Sequence, residues 1–108
     1  MSVSPKQTSL AHMVYFTLKD RSDAARDGLV QACQKYLSEH QGTIHFSVGR
    51  RATEYERPVN DMQFDVALVL VFATDADHQR YQSSERHQLF LAEQLDNCSK
   101  VRVFDALS

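Results

Sequence analysis

The sequence contains few of the residues that characterise small extracellular and fibrous proteins. Its 108 residues include two cysteines, two prolines, three glycines and no tryptophan. Cys33 and Cys98 cannot build the dense disulfide framework of a small secreted module, although a single bridge between them would fit the count. Cys33 lies at a core-facing position of a predicted helix, so we interpret both as structural thiols in a reducing compartment. With 43% hydrophobic residues and little glycine or proline, the chain is neither disordered nor fibrous.

A long apolar run and an excess of positive charge are also missing. The longest unbroken apolar run, Val66–Ala73, has eight residues, whereas a membrane-spanning helix needs about 20. Residues 1–9 are polar and are predicted to form a flexible tail rather than a secretory signal. The formal net charge of −2 provides no basic surface for nucleic acid. We therefore predict a cytoplasmic protein that partners neither a membrane nor a nucleic acid.

Two hydrophobic periodicities divide the chain into elements. Alternation over Leu10–Leu18 predicts a strand, and a later apolar stripe at helical spacing predicts a helix. Thr74 and Ser84 are predicted N-caps of two further helical segments. The predicted order is strand Leu10–Leu18, a helix that begins after Ser22 and is closed by Gly42, strand Thr43–Gly49, loop Arg50–Gln63, strand Phe64–Phe72, two helical segments divided at Ser83-Ser84, and strand Val101–Phe104.

The order βαββαβ in a chain of this length favours a ferredoxin-like fold. With a right-handed crossover in each βαβ half, it gives one antiparallel sheet with the helices on one face. The predicted fold class is therefore α+β. Residues 10–108 are expected to form a single domain.

The other face of this sheet is too apolar to stay in water. Met13 and Tyr15 lie on the back of the first strand, and the third strand is apolar on both faces. The sequence does not decide which alternating set of the third strand faces outward. At roughly 25 cal/mol per Å² of apolar surface, an exposed face would forfeit several kcal/mol. A face-to-face homodimer, a dimeric α+β barrel, would bury it; the alternative is an apolar sheet covered by the long loop.

Short motifs occur in order along the predicted strands. The first strand reads His-Met-Val-Tyr-Phe-Thr-Leu-Lys from His12 onward. Gly49-Arg50 ends the second strand, and Asp65 leads into the third, which ends at Phe72. Each motif is short, so the order of the motifs and their placement in the right elements give the set its specificity.

A further motif lies in the last helical segments, where Tyr81 stands six residues before His87 and Phe90 follows. Together these motifs resemble the stress-responsive A/B-barrel domain family, dimeric α+β barrels, over about residues 11–105. The family pattern here is Tyr-x-x-His-Pro-x-His. This chain keeps its outer tyrosine and histidine, and Ser84 and Glu85 replace the His-Pro pair.

The resemblance implies a fold more firmly than an activity, because most members of the family have no assigned reaction. A plant member, olivetolic acid cyclase, closes a polyketide chain by an intramolecular aldol reaction. It uses a histidine of the first strand and the tyrosine and histidine of the helical motif, roles that would fall on His12, Tyr81 and His87. Related dimeric α+β barrels include monooxygenases of aromatic polyketides, so the architecture alone does not choose a chemistry.

The residues themselves permit a shared site only if the helix is broken. Tyr81 and His87 would point about 120° apart on a continuous helix. A break at Ser83-Ser84 would let both turn toward the sheet and His12. A neutral histidine can take a proton and a tyrosine hydroxyl can hold an enolate oxygen, which suits proton abstraction beside a carbonyl. Each of the three could equally be a structural residue.

We therefore predict a small, mostly apolar pocket between the sheet and the helices. It would bind a small hydrophobic or aromatic carbonyl compound, and it could convert that compound with His87 as base, Tyr81 as oxyanion donor and His12 assisting. The alternative is a non-catalytic, stress-related binding or interaction module. The predicted lining is His12, Val14, Phe16, Tyr81, His87 and Phe90.

Neither an acid nor a metal is expected in this pocket. No acidic residue is predicted at the strand face, and Glu85 is expected to point to solvent. The five histidines show no paired ligand spacing, so no metal site is predicted. No glycine-rich phosphate loop is present, and no cofactor is predicted.

Overall fold

Four strands and three α-helices lie within residues 9–108, the part of the chain that the computed structural model describes. Residues 1–8, most of the predicted flexible tail, lie outside the described residues. The elements are β1 (Leu10–Leu18), α1 (Asp23–Leu37), β2 (Thr43–Arg50), β3 (Val66–Phe72), α2 (Asp75–Ser83), α3 (Glu85–Gln94), a 3-10 turn (Leu95–Asn97) and β4 (Cys98–Leu107).

The four strands form one sheet in the order β2-β3-β1-β4, and every neighbouring pair is antiparallel. The first and third strands are therefore central, as expected from two βαβ halves that interleave. The predicted ferredoxin-like α+β fold is confirmed.

Alternation along the two central strands separates a covered face from an open face of the sheet. On β1 the side chains of His12, Val14 and Phe16 are buried beneath the helices, and Met13 and Tyr15 lie on the open face and are only partly buried. On β3 the residues that face the helices are Val66, Leu68, Leu70 and Phe72, which leaves Ala67, Val69 and Val71 on the open face. The structure thus decides the orientation of the third strand.

The first helix begins at its predicted cap and ends earlier than predicted. The Ser22 hydroxyl accepts a hydrogen bond from the Ala25 N–H, as an N-cap should. The helix ends at Leu37 rather than near Gly42. Gly42 has a φ of +87° in the turn that leads to β2, where a Cβ would collide with the Asp77 side chain. Gly42 therefore shapes the turn into the sheet and does not close the helix.

The predicted interruption between the second and third helices is confirmed. Ser84 has an extended backbone, with φ −67° and ψ 153°, and it ends α2. Its hydroxyl donates to the Tyr81 carbonyl at 2.8 Å and accepts from the His87 N–H at 3.2 Å. One side chain thus caps both helices and fixes the angle between them.

The second strand ends at Arg50, one residue later than predicted, and two strands differ from the prediction by more than one residue. The third strand begins at Val66 rather than Phe64, because the Asp65 carboxylate turns inward, accepts from the Leu18 N–H at 2.8 Å and pairs with Arg21 and Arg26. The last strand, predicted over Val101–Phe104, runs over Cys98–Leu107. It pairs with the whole length of β1, so its polar residues stay in the ladder despite their low strand propensity.

The ends of the first and last strands are joined beyond their last paired residues. The Ser108 N–H donates to the Ser9 carbonyl at 3.0 Å.

The prediction of one domain over residues 10–108 stays a prediction. Within residues 9–108, no helix combines the length and apolarity needed to cross a membrane.

Candidate functional site

A cavity of about 230 Å³ lies between the covered face of the sheet and the two later helices. Its wall is mostly apolar, and its size is below the usual range of about 300–1,000 Å³ for drug-sized ligands, so it suits a small compound. All six residues predicted to line a pocket lie on its wall, although their roles stay predictions. The lining includes His12, Val14, Phe16, Leu68, Tyr81, Gln82, His87, Phe90, Leu91, Val101 and Val103.

Tyr81 stands at the centre of a group of aromatic rings. Its ring centroid lies 4.9 Å from that of His87 and 6.0 Å from that of His12. His40 lies 4.9 Å away on another side. The helix break at Ser84 makes this possible, because it turns the start of α3 back toward the ring. The structure therefore brings the three predicted catalytic side chains together.

An acid does lie beside His12, contrary to the sequence prediction. Asp105 stands directly opposite His12 in the β1–β4 register, and its Oδ1 lies 2.5 Å from His12 Nδ1. The prediction was wrong because the last strand was expected to stop at Phe104, one residue before Asp105. Alternation from Val101 and Val103 would have placed Asp105 on the covered face. Since His12 donates through Nδ1, its Nε2 is left as an acceptor.

Gln82 and His78 are further polar residues that sequence reasoning missed. The Gln82 amide nitrogen lies 3.4 Å from His12 Nε2 and 3.2 Å from His78 Nε2. His78 Nδ1 in turn lies 3.2 Å from Asp75 Oδ1. The spacing of four between His78 and Gln82 puts both on one side of α2, which is a helical signal that could have been noticed.

Burial sets the protonation of the three central side chains. Removal from water lowers the pKa of His87, and nearby His12, His40 and His78 lower it further. Burial also lowers the pKa of His12, although the hydrogen bond and charge of Asp105 act in the opposite direction. Burial raises the pKa of the Tyr81 phenol above its ordinary value. At neutral pH the two imidazoles are therefore neutral and the tyrosine is a hydrogen-bond donor.

One polar atom near this cavity has no partner. His87 Nδ1 is buried and makes no hydrogen bond with any part of residues 9–108. Buried polar atoms in folded proteins are nearly always paired, so this unpaired nitrogen is an exception to the usual pattern.

Donor atoms that suit a metal also converge at this site. A nitrogen of His12, a nitrogen of His78 and an oxygen of Asp105 lie within 4.8 Å of one another. These residues come from β1, α2 and β4, so no local spacing in the sequence could have revealed the group.

A four-stranded antiparallel sheet with helices on one face, built in the order βαββαβ, defines the ferredoxin-like α+β class of domains, and here an apolar cavity lies between the two layers. Within that class, the family model described as the Stress responsive A/B Barrel Domain matches residues 10–107. The chain therefore belongs to the stress-responsive A/B barrel domain family, which confirms the resemblance found in its motifs.

Solved structures with the same fold span nearly the whole chain. A family member from Mesorhizobium loti with a ferredoxin-like fold is 25% identical, with a TM-score of 0.78 over 94% of this chain and 98% of that one. A dimeric ferredoxin-like protein of unknown function from Thermobifida fusca is 13% identical, with a TM-score of 0.76 over 99% and 97%. A hydroxynitrile lyase from Passiflora edulis is 17% identical, with a TM-score of 0.75 over 95% of each chain. No curated protein matches the sequence.

Proposed function

We propose that this protein binds a small hydrophobic or aromatic carbonyl compound in the cavity and removes a proton from the carbon beside the carbonyl. The observation that carries the proposal is the convergence of His12, Tyr81 and His87 on one apolar cavity. A few polar groups that converge in an apolar space are the usual composition of a small-molecule site. The Phe16 and Phe90 rings, 6.1 Å apart, supply aromatic surface for the body of the ligand.

The proton chemistry follows from the protonation states. His87 is neutral and lines the cavity, so one of its ring nitrogens can accept the proton from the carbon. The electron pair of that C–H bond moves into the carbonyl, and its oxygen becomes an enolate. Tyr81, still protonated, donates a hydrogen bond to this oxygen. If the compound carries a second carbonyl, the enolate carbon can attack it and close a ring, as in an aldol reaction.

His12 assists as an oriented polar group. The Asp105 carboxylate fixes its Nδ1–H, so Nε2 faces the Gln82 amide at the cavity wall. Asp105 and Gln82 hold the imidazole in one tautomer, so that His12 presents a fixed polar group to the bound carbonyl compound. The solved structures with this fold include a hydroxynitrile lyase, so the fold can support an enzyme.

The open face of the sheet supports a homodimer. Met13, Tyr15, Val69 and Val71 form a continuous apolar surface at the centre of the sheet. Phe104, which is 50% exposed, extends it onto β4, and the Tyr15 ring packs against it at 5.8 Å. A second copy of this face would cover it without any added element, and the Thermobifida fusca structure with this fold is described as dimeric.

The cysteines support a cytoplasmic location. Cys33 and Cys98 are both free thiols, and burial raises the pKa of Cys33 to about 12. A thiol that is buried and protonated is a packing residue, which fits a reducing compartment.

Proton abstraction can be tested without knowing the natural substrate. Acetophenone is small and aromatic, and its methyl protons lie beside the carbonyl. In D₂O near neutral pH, the wild-type protein should speed exchange of these protons for deuterium, followed by NMR. Tyr81→Phe and His87→Ala should each lower the catalysed rate by about a hundredfold or more. His45→Gln, which changes an exposed histidine on the open face, is the matched control.

The same experiment distinguishes an enzyme from a binding module. Saturable shifts of cavity resonances by acetophenone, with no catalysed exchange, would support the non-catalytic alternative and overturn the acid–base proposal. Absence of both binding and exchange would overturn the ligand site as well. Thermal unfolding of each variant, within a few degrees of wild type, ensures that a lost rate reflects chemistry.

A further inference from the structure

His12 and His78 lie on different elements, yet their Nε2 atoms point to the same place. The Gln82 amide nitrogen is within 3.4 Å of one and 3.2 Å of the other. The two ring centroids are 5.0 Å apart, with 50° between the ring planes. An amide NH₂ group has two hydrogens, so it can donate to both nitrogens at once. Two imidazole lone pairs therefore converge on the position that the Gln82 amide now fills.

On each of these rings, a carboxylate holds the opposite nitrogen. His12 Nδ1 lies 2.5 Å from Asp105 Oδ1, and His78 Nδ1 lies 3.2 Å from Asp75 Oδ1. This arrangement is found around most metal-bound histidines, because it fixes the tautomer and increases the basicity of the ligating nitrogen. Here it occurs twice, on two histidines whose free nitrogens meet.

We propose that His12 and His78 bind one divalent transition-metal cation through their Nε2 atoms, with the Gln82 amide oxygen as third ligand. Rotation of the Gln82 amide by half a turn exchanges its nitrogen for its oxygen and breaks no other side-chain hydrogen bond of Gln82 within residues 9–108. Two imidazoles and one amide oxygen suit Zn²⁺, Co²⁺ or Ni²⁺, whereas Mg²⁺ and Ca²⁺ prefer oxygen ligands alone. The carboxylates of Asp105 and Asp75 offset the double positive charge.

The cavity gives this cation both an entrance and a role. His12 and Gln82 line the cavity, so a ligand in it can reach the fourth coordination position. The cation would occupy the His12 lone pair and polarise the carbonyl oxygen together with the Tyr81 hydroxyl. His87 and Tyr81 lie outside the ligand set and keep their proposed roles. The metal site does not depend on the proposed reaction, because binding requires no turnover.

The test is calorimetric titration of metal-free, untagged protein with Zn²⁺ at pH 7. We expect one zinc per chain. Loss of a ligand in His78→Gln should abolish measurable binding, and Asp75→Asn, which replaces the orienting carboxylate with a neutral amide and keeps both histidine ligands, should weaken it about 10- to 100-fold. His87→Gln and His45→Gln are matched controls that remove a histidine inside the cavity and one on the open face; both should bind zinc like the wild type. With Co²⁺ in place of zinc, the ring-proton signals of His12 and His78 should broaden first.

The result that would overturn the site is zinc binding in His78→Gln equal to that of the wild type, or no binding by a wild-type protein that is folded by circular dichroism. Loss of binding in His45→Gln would also overturn it, since the zinc would then sit on the surface. If His78→Gln unfolds, Gln82→Leu is tested in its place, because Gln82 is only partly buried and its position tolerates change. This variant should weaken zinc binding without altering the fold. Failure here leaves acetophenone exchange by metal-free protein untouched, so the two proposals fail separately.

Discussion

The two faces of the sheet are built from neighbouring residues of the same strands, and they differ in whether they contain a buried polar residue. On the covered face of β1, the polar His12 lies among apolar side chains and is only 4% exposed. On the open face, Met13 and Tyr15 are apolar or aromatic and only partly buried. The covered face thus contains the proposed site, and the open face contains the surface proposed to bind a second copy. Apolar character alone distinguishes neither, whereas a buried polar residue marks the site.

The sharpest test of this comparison places the same charge on each face of the third strand. Leu68→Asp should unfold the protein, because an unpaired carboxylate would enter a core position that is 1% exposed. The expected loss of unfolding free energy exceeds about 5 kcal/mol. The neighbouring substitution Val69→Asp should keep a cooperative thermal transition by circular dichroism, since its side chain reaches water in the monomer. Equal losses in the two variants would contradict the assignment of the faces.

Replacement of a phenylalanine on each face by alanine should give the next largest change in unfolding free energy. Phe16→Ala removes a buried ring that packs against Phe90, and it should lower the unfolding free energy by about 3–5 kcal/mol. It should also enlarge the cavity and shift ligand preference toward compounds bulkier than acetophenone. Phe104→Ala on the open face, where half of the residue is already exposed, should lower the unfolding free energy by a smaller amount. Urea unfolding at one fixed protein concentration measures both, and a larger loss for Phe104→Ala would reverse the comparison.

A charge at the centre of the open face should act on assembly rather than on folding. Sedimentation of the wild type at micromolar concentration should give twice the chain mass. Tyr15→Asp should raise the dimer dissociation constant by at least about tenfold to a hundredfold, or about 1.4–2.8 kcal/mol. Tyr15 contacts Phe64 and Phe104 within the chain, so Tyr15→Phe, which retains the ring, is the control. A wild-type monomer at high concentration would refute the homodimer.

Most of the fold could be predicted because its signals are local. The alternation over Leu10–Leu18 matches the observed strand residue for residue. Ser22, Thr74 and Ser84 were identified as caps from their position before helical stripes, and all three cap. Where prediction failed, the cause was tertiary. The last strand is longer than its apolar centre because pairing with β1 keeps polar residues in the sheet.

The candidate site shows the same division between local and tertiary information. The helix break that allows Tyr81 and His87 to meet is visible in the sequence as two consecutive serines. The positions of Asp105 and Gln82 beside His12 are not, because they follow from strand register and from helix orientation over the sheet. Ending the predicted strand at Phe104, one residue before Asp105, was enough to hide the acid.

The smallest expected effect concerns the protonation of His87, on the covered side of the sheet. Burial lowers the pKa of this ring below the ordinary value near 6.5. Below pH 6.5 the unfolded chain then takes up a proton that the folded chain refuses, so protons favour unfolding. The stability that His87 contributes is complete above pH 6.5 and is lost as the pH falls from there toward the folded pKa.

This sign can be measured in two independent ways. A ring-proton NMR titration should place the His87 midpoint below that of the same ring in urea-unfolded protein. Urea unfolding at pH 7.5, 6.5 and 5.5 should show that the free energy of unfolding decreases as the pH is lowered. The decrease should be less steep for His87→Gln, because glutamine binds no proton. Protein concentration is held constant, since a dimer's stability depends on it. A His87 midpoint at or above the unfolded value, with equal slopes for the two proteins, would mean that the ring is in water and that the covered face holds no dry site.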